Sequence, residues 1–186
     1  MQNPNPHDRV RWITRTGVLV ALLVVLQWAT SGTQAFAGQY ITGSCVNAVL
    51  AVAVLTCGLW SGVTVAALSP FCAFLVGVGP KLIQIVPGVA VGNVVLVLVL
   101  HFVIGQQRQP LWRQAAGVVA GAVAKFLTLY LVIVKGIVPA MAEGLKPQQI
   151  ATFSAMFSWP QIVTALIGGA IALAIVPLLR KALRKN

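Results

Sequence analysis

Lys125 is the residue of this chain with the most chemistry to account for. It lies about twelve residues into an apolar run that begins near Arg113, which is close to mid-membrane for a spanning helix of about 20 residues. An ionisable group at that depth costs a few kcal/mol on insertion scales and commonly marks a functional position. The two acids of the chain, Asp8 and Glu143, lie outside the apolar runs, so no carboxylate in a span can pair with it. Three readings are open. The amine binds an anionic or carbonyl-bearing ligand; it hydrogen-bonds neighbouring Asn or backbone carbonyls as a packing element; or it snorkels to an interface. Gly117, Gly121, Lys125 and Thr128 fall on one helical face, so the side chain is expected to point into a bundle.

Other polar groups sit at comparable depth. Asn93 follows Gly92 in the middle of a fourth apolar run, and Asn47 lies in the outer part of a second. One intramembrane Asn is often only helix glue; two with a lysine point to a polar cavity. Gln84 and Gln161, at the outer ends of their runs, are expected to line its mouth. Phe36, Tyr40, Phe153, Phe157 and Trp159 flank the same end with Gln34 and Gln39. They read either as an aromatic belt or as a lid stacking on a planar ligand. His101 reads as an interfacial side chain. Cys45, Cys57 and Cys72 all lie in apolar runs with no Cys-x-x-Cys, and read as buried small hydrophobes.

What is missing narrows the function. There is no Gly-x-x-x-x-Gly-Lys phosphate loop, no His-Glu-x-x-His and no Gly-x-Ser-x-Gly. No pair of carboxylates is available for acid–base work. The expectation is a protein that is not an enzyme and uses no cofactor and no metal.

These residues need elements to hold them. Of 186 residues, 59% are hydrophobic and 8% charged, with a mean hydropathy of +0.92. Soluble domains carry about 25% charged residues, so the chain is read as an integral membrane protein. Six apolar stretches are bounded by turn signals, over about 14–30, 43–57, 61–77, 84–104, 113–135 and 160–179. The fold class expected is an all-α compact bundle of six transmembrane helices, forming one domain over 1–186. The tight Gly58-Leu59-Trp60 link makes a hairpin of the second and third, and the loop over 136–159 is expected to hold a short surface helix.

The net charge of +11 reflects 13 Lys and Arg against two acids. No basic helix with interleaved aromatics is present, so nucleic acid is not an expected partner. With the N-terminus inside, nine basic residues fall at inner ends and three (Lys81, Lys135, Lys146) at outer loops. This gives both termini cytoplasmic by the positive-inside rule. Arg9, Arg11 and Arg15, the run over 18–28 and Ala35-Phe36-Ala37 also have the form of a secretory signal with a cleavage site. The first helix is expected to be retained because it carries a small-residue packing face, Gly17 and Ala21. Small residues recur at helical spacing on other spans too, for example Gly62, Ala66, Ser69 and Ala73, or Thr164, Gly168 and Ala172. Such faces let backbones approach closely in lipid.

Several segments together resemble the S components of energy-coupling factor (ECF) transporters, the membrane subunits that capture vitamins in bacteria and archaea. They are the basic start followed by Thr14-Arg15-Thr16-Gly17-Val18-Leu19-Val20-Ala21-Leu22; Gly43-Ser44-Cys45-Val46-Asn47-Ala48; Gly58-Leu59-Trp60-Ser61-Gly62; Leu68-Ser69-Pro70-Phe71; and Pro87-Gly88-Val89-Ala90-Val91-Gly92-Asn93. The resemblance implies a multi-pass protein of a bacterial cell membrane. It also implies a pocket in the outer half capped by the loop after the first helix, here 31–42, and a coupling surface of small residues on that helix. The family pattern there is often Ala-x-x-x-Ala, whereas this chain has Gly17-x-x-x-Ala21. A transmembrane coupling protein and two ATPases are the partners implied, with delivery by tilting of the S component. On this basis Asn47, Asn93, Lys125, Gln84, Tyr40, Trp159 and Gln161 are the expected substrate-binding residues, and Gly17 and Ala21 the partner-coupling ones. Folate-like, pantothenate-like, pyridoxine-like and pyrimidine ligands all fit. The alternatives are a structural or assembly protein in which Lys125 and Asn93 only pack, and a small stand-alone carrier.

Overall fold

A computed structural model describes residues 6–30, 35–79, 82–107 and 109–183. Gln34, Lys81, Arg108, Arg184, Lys185 and the side chains of Ala35, Phe36 and Ala37 lie outside the described residues. Among those described there is helix and turn but no strand. Helix α1 spans Pro6–Thr30 and α2 spans Ala35–Val52, continuing as a π-helix through Ala53–Cys57. Then come α3 (Leu59–Leu75), α4 (Val86–Val103) and α5 (Leu111–Leu129). The last runs on through a π-helical Tyr130–Ile137 and a closing turn, Val138–Ala140. The short α6 (Pro147–Met156) and the long α7 (Pro160–Leu183) complete the chain. Five helical stretches are long and apolar enough to cross a membrane, and Leu59–Leu75 is a shorter apolar helix beside them.

The breaks follow from local chemistry. Gly58 has φ +95° and ψ 178°, a conformation that costs a side-chain-bearing residue dearly, and it separates the π-helix from α3 with no further linker. This is the hairpin expected from Gly58-Leu59-Trp60. Proline occupies the first position of α6 and α7 and the second of α4, where its missing N–H costs no helical bond.

The helices alternate in direction. α1 packs on α2 and α3, α4 on α3 and α5, and α7 on α2 and α5. One end is tied by Thr16 to Ser61 (2.8 Å) and by Arg180, which donates to the carbonyls of Leu55 (2.8 Å) and Gly105 (3.4 Å). Arg9, Arg11, Arg113 and Lys181 lie at this same end of their helices. Two apolar cores are stacked along the bundle. The larger, including Leu23, Leu50, Leu55, Val65, Val97, Leu100 and Ala172, fills the basic end. The smaller, with Ile85, Leu129, Ile133, Val138, Phe153 and Phe157, lies toward the other. On α4 and α5 the register between them is occupied by Asn93 and Lys125.

Small residues make close crossings at most of the expected places. A Cβ on Gly62 would meet Val54 and Val97, one on Gly92 would meet Leu129, and one on Gly121 would meet Leu96. At Gly168 it would meet Asn47 Cβ and the backbone of Ser44 and Ala48 at 2.6–2.7 Å. The first helix departs from expectation. A Cβ on Gly17 would meet nothing within 4 Å, and Ala21 is exposed, so this pair packs against no other part of the described chain. The face by which α1 docks is instead Thr16, Leu23 and Gln27, at spacings of seven and four, each 5% exposed or less.

Candidate functional site

Three helices bring the polar groups together. Lys125 on α5 is 3% exposed, and its ammonium donates to Asn47 Oδ1 on α2 and Asn93 Oδ1 on α4, both at 2.7 Å. These are the distances of charge-assisted hydrogen bonds. An ammonium only donates, so both amides must turn their oxygens to it. Asn47 then points its NH2 at Thr164 Oγ1 on α7 (3.3 Å), and the Thr164 hydroxyl donates to the Gln161 carbonyl (3.2 Å). The backbone contact of Gly168 with α2 presses α7 against the turn that carries Asn47. Of the readings open for Lys125, hydrogen bonding to Asn is present and snorkelling is not.

Packing does not exhaust the group. A lysine ammonium has three N–H donors, and two are used by protein acceptors among the described residues. Lys125, Asn47 and Asn93 also line a cavity of about 370 Å³, within the size range of small-molecule sites. Its wall comes from α1 (Gln27, Thr30), the start of α2 (Gln39, Thr42), α3 (Ser69, Ala73), α4 (Val86, Val89) and the α6–α7 corner (Phe157, Gln161). These positions place it at the end of the bundle opposite the basic cluster.

The expected residues divide. Asn47, Asn93, Lys125 and Gln161 line one cavity. Gln84 does not: it sits exposed in the turn Ile83–Ile85, outside the wall to which Val86 contributes. Trp159 is 58% exposed and outside the lining. Tyr40 is also outside it and packs on Trp159 instead, the ring centroids 6.0 Å apart at 45°. Phe153 belongs to the apolar core, which leaves Phe157 as the aromatic of the described wall. Tyr40 and Trp159 thus form an aromatic pair outside the lining of the described cavity, while Gln34 and the Phe36 side chain of the expected lid lie outside the described residues. His101 lies far off, edge-on to Phe102 (5.3 Å). Among the described residues no three His, Cys, Asp or Glu side chains gather to hold a metal.

Gln27 joins the wall without having been expected. Its signal was available: it lies seven and four residues after the docked Val20 and Leu23, on the buried face of α1. A polar amide there is out of place unless something uses it.

Compared with protein families, the chain matches the model described as ECF transporter, substrate-specific component, over residues 11–180. The chain belongs to this family. No curated protein and no solved structure matched the chain. It is therefore the substrate-specific binding subunit of an ECF transporter, and a multi-pass membrane protein. S components are non-catalytic, with ATP hydrolysis in separate modules; membership implies association with such a module and its transmembrane component.

Proposed function

We propose that the Lys125 cavity is the substrate site, and that it captures a small water-soluble vitamin or precursor from outside the cell. The observation that carries this is the ammonium of Lys125, fixed by two amide oxygens on other helices and retaining a donor at a cavity wall. A buried cation with neutral partners and no carboxylate favours a ligand with a carboxylate, phosphate or carbonyl oxygen. Basic residues gathered at the opposite end support an outward-facing mouth.

Gly17 and Ala21 are proposed as the coupling face toward the transmembrane partner. Small residues that pack against nothing in the described chain leave room for another helix to approach closely. The substrate-loaded S component then tilts against that partner, and two ATPases in the module drive release inside.

Titration of the detergent-purified protein with a panel of vitamins and precursors tests the reading. One ligand should bind tightly in the wild-type protein, and uptake in cells should require the coupling module. Failure of every panel member, together with no small molecule in extracts of the purified protein, would overturn it. Uptake that persists without the module would identify a stand-alone carrier.

A further inference from the structure

Three glutamines line the cavity, one each from α1, α2 and α7: Gln27, Gln39 and Gln161. All three are anchored in the same sense. Gln27 Nε2 donates to the Ser69 carbonyl (3.3 Å), Gln39 Nε2 to the Met156 carbonyl (2.8 Å) and Gln161 Nε2 to that same carbonyl (3.0 Å). A backbone carbonyl only accepts, so chemistry fixes which way each amide faces. Each glutamine keeps its Oε1, an acceptor, beside the second N–H of its Nε2. Gln27 is 2% exposed, and its Oε1 is buried with no donor among the described residues. An amide oxygen left unpaired in such a place calls for a bound partner to explain it.

The Lys125 side of the cavity is the reverse. Asn47 Oδ1 and Asn93 Oδ1 both accept from the ammonium, and one N–H of the Asn47 NH2 goes to Thr164. The groups remaining there are donors: one N–H of Lys125 and the NH2 of Asn93. Gln39 precedes Asn47 by eight residues on one helix, which sets that glutamine about 12 Å from Asn47 along the bundle, while Gln27 lines the cavity from α1 and Lys125 from α5. We infer that the cavity is polarised, with donors at Lys125 and Asn93 on one side and the buried, unmet acceptor of Gln27 on the other. Its ligand then carries a carboxylate or carbonyl oxygen toward Lys125 and an amine or other N–H group toward Gln27. This rests on the cavity being the substrate site. A molecule with oxygen acceptors at both ends leaves the buried Gln27 oxygen without a donor and is disfavoured there.

Matched probes test the polarity. Isothermal titration of the full-length purified protein compares 8-aminooctanoate with octanedioate, and 4-aminobenzoate with terephthalate. The amino probe of at least one pair should bind about ten-fold or more tighter than its diacid. That preference should shrink to about two-fold or less in Gln27→Leu/Gln161→Leu, while Lys125→Met loses both members. Gln27→Leu alone reports the same loss of preference if the double variant does not fold. Equal affinity within both pairs, tighter diacids, or no binding of any probe at millimolar concentration would overturn the inference. Mass spectrometry of small molecules extracted from the wild-type protein stands apart from the probes. A bound molecule found there, with failed probe selectivity, sinks the polarity but leaves the substrate site standing.

Discussion

An ammonium held by two amide oxygens is solvated by their dipoles alone, because no negative group stands beside it. The arrangement is stable only as a set. A hydrogen bond to a charged group contributes about 1.5–3 kcal/mol, and removing one partner leaves a buried charge poorly solvated. Asn93→Leu should therefore lower the thermal unfolding midpoint of the detergent-purified protein by several degrees. Adding Lys125→Met to it should recover part of that loss, since the stranded charge goes too. A double variant no more stable than Asn93→Leu alone would contradict the coupling. At this scale much could be read from the sequence. Lys125, Asn47 and Asn93 stand out because polar groups are costly in lipid. Gln27 did not, because an uncharged amide near the end of an apolar run resembles an interfacial residue until its helical face is known. Gln84, Tyr40 and Trp159 lie outside the described lining: a helix end gathers many polar and aromatic residues, and only the packing chooses among them.

Between helices, glycines decide which faces meet. A Cβ at position 168 would stand 2.6–2.7 Å from Asn47 Cβ, Ser44 O and Ala48 N. Backbone cannot yield as a side chain does, so α2 and α7 would separate and carry Asn47 away from Lys125. Gly168→Val should cost more than about 2 kcal/mol in stability and reduce ligand affinity at least ten-fold. Gly17→Val is the contrast, since that Cβ meets nothing within 4 Å. It should leave the unfolding midpoint and ligand affinity unchanged, yet abolish uptake in cells that contain the coupling module. Unchanged uptake would remove Gly17 from the coupling face. Arg180 acts at the far end, where it donates to Leu55 O in the π-helix and to Gly105 O. Arg180→Gln should destabilise by about 1–3 kcal/mol and leave ligand affinity within two-fold, as read by thermal shift and titration. The apolar helices were legible from run length, though Leu59–Leu75 is shorter than the other five. The two π-helices were not, since a π-turn has no compositional mark.

For the whole molecule, the two ends differ in charge as well as in content: most of the basic side chains at one, the cavity at the other. Single cysteines at positions 106 and 146, in a chain with its three native cysteines replaced, should show this in right-side-out vesicles. An impermeant thiol reagent should label position 146 from outside and leave 106 unlabelled; the reverse would turn the cavity mouth inward. Family membership was legible from segments spread along most of the chain. The substrate was not, because the residue pattern does not show which amide atoms are already bonded to backbone carbonyls of other helices, as Gln27 and Gln39 are. The central claim, that Lys125 holds the substrate, is tested most directly by native mass spectrometry of the protein purified from bacterial membranes. The wild-type protein should carry one small molecule per chain, and a folded Lys125→Met variant should carry none. Equal occupancy in the two would contradict it.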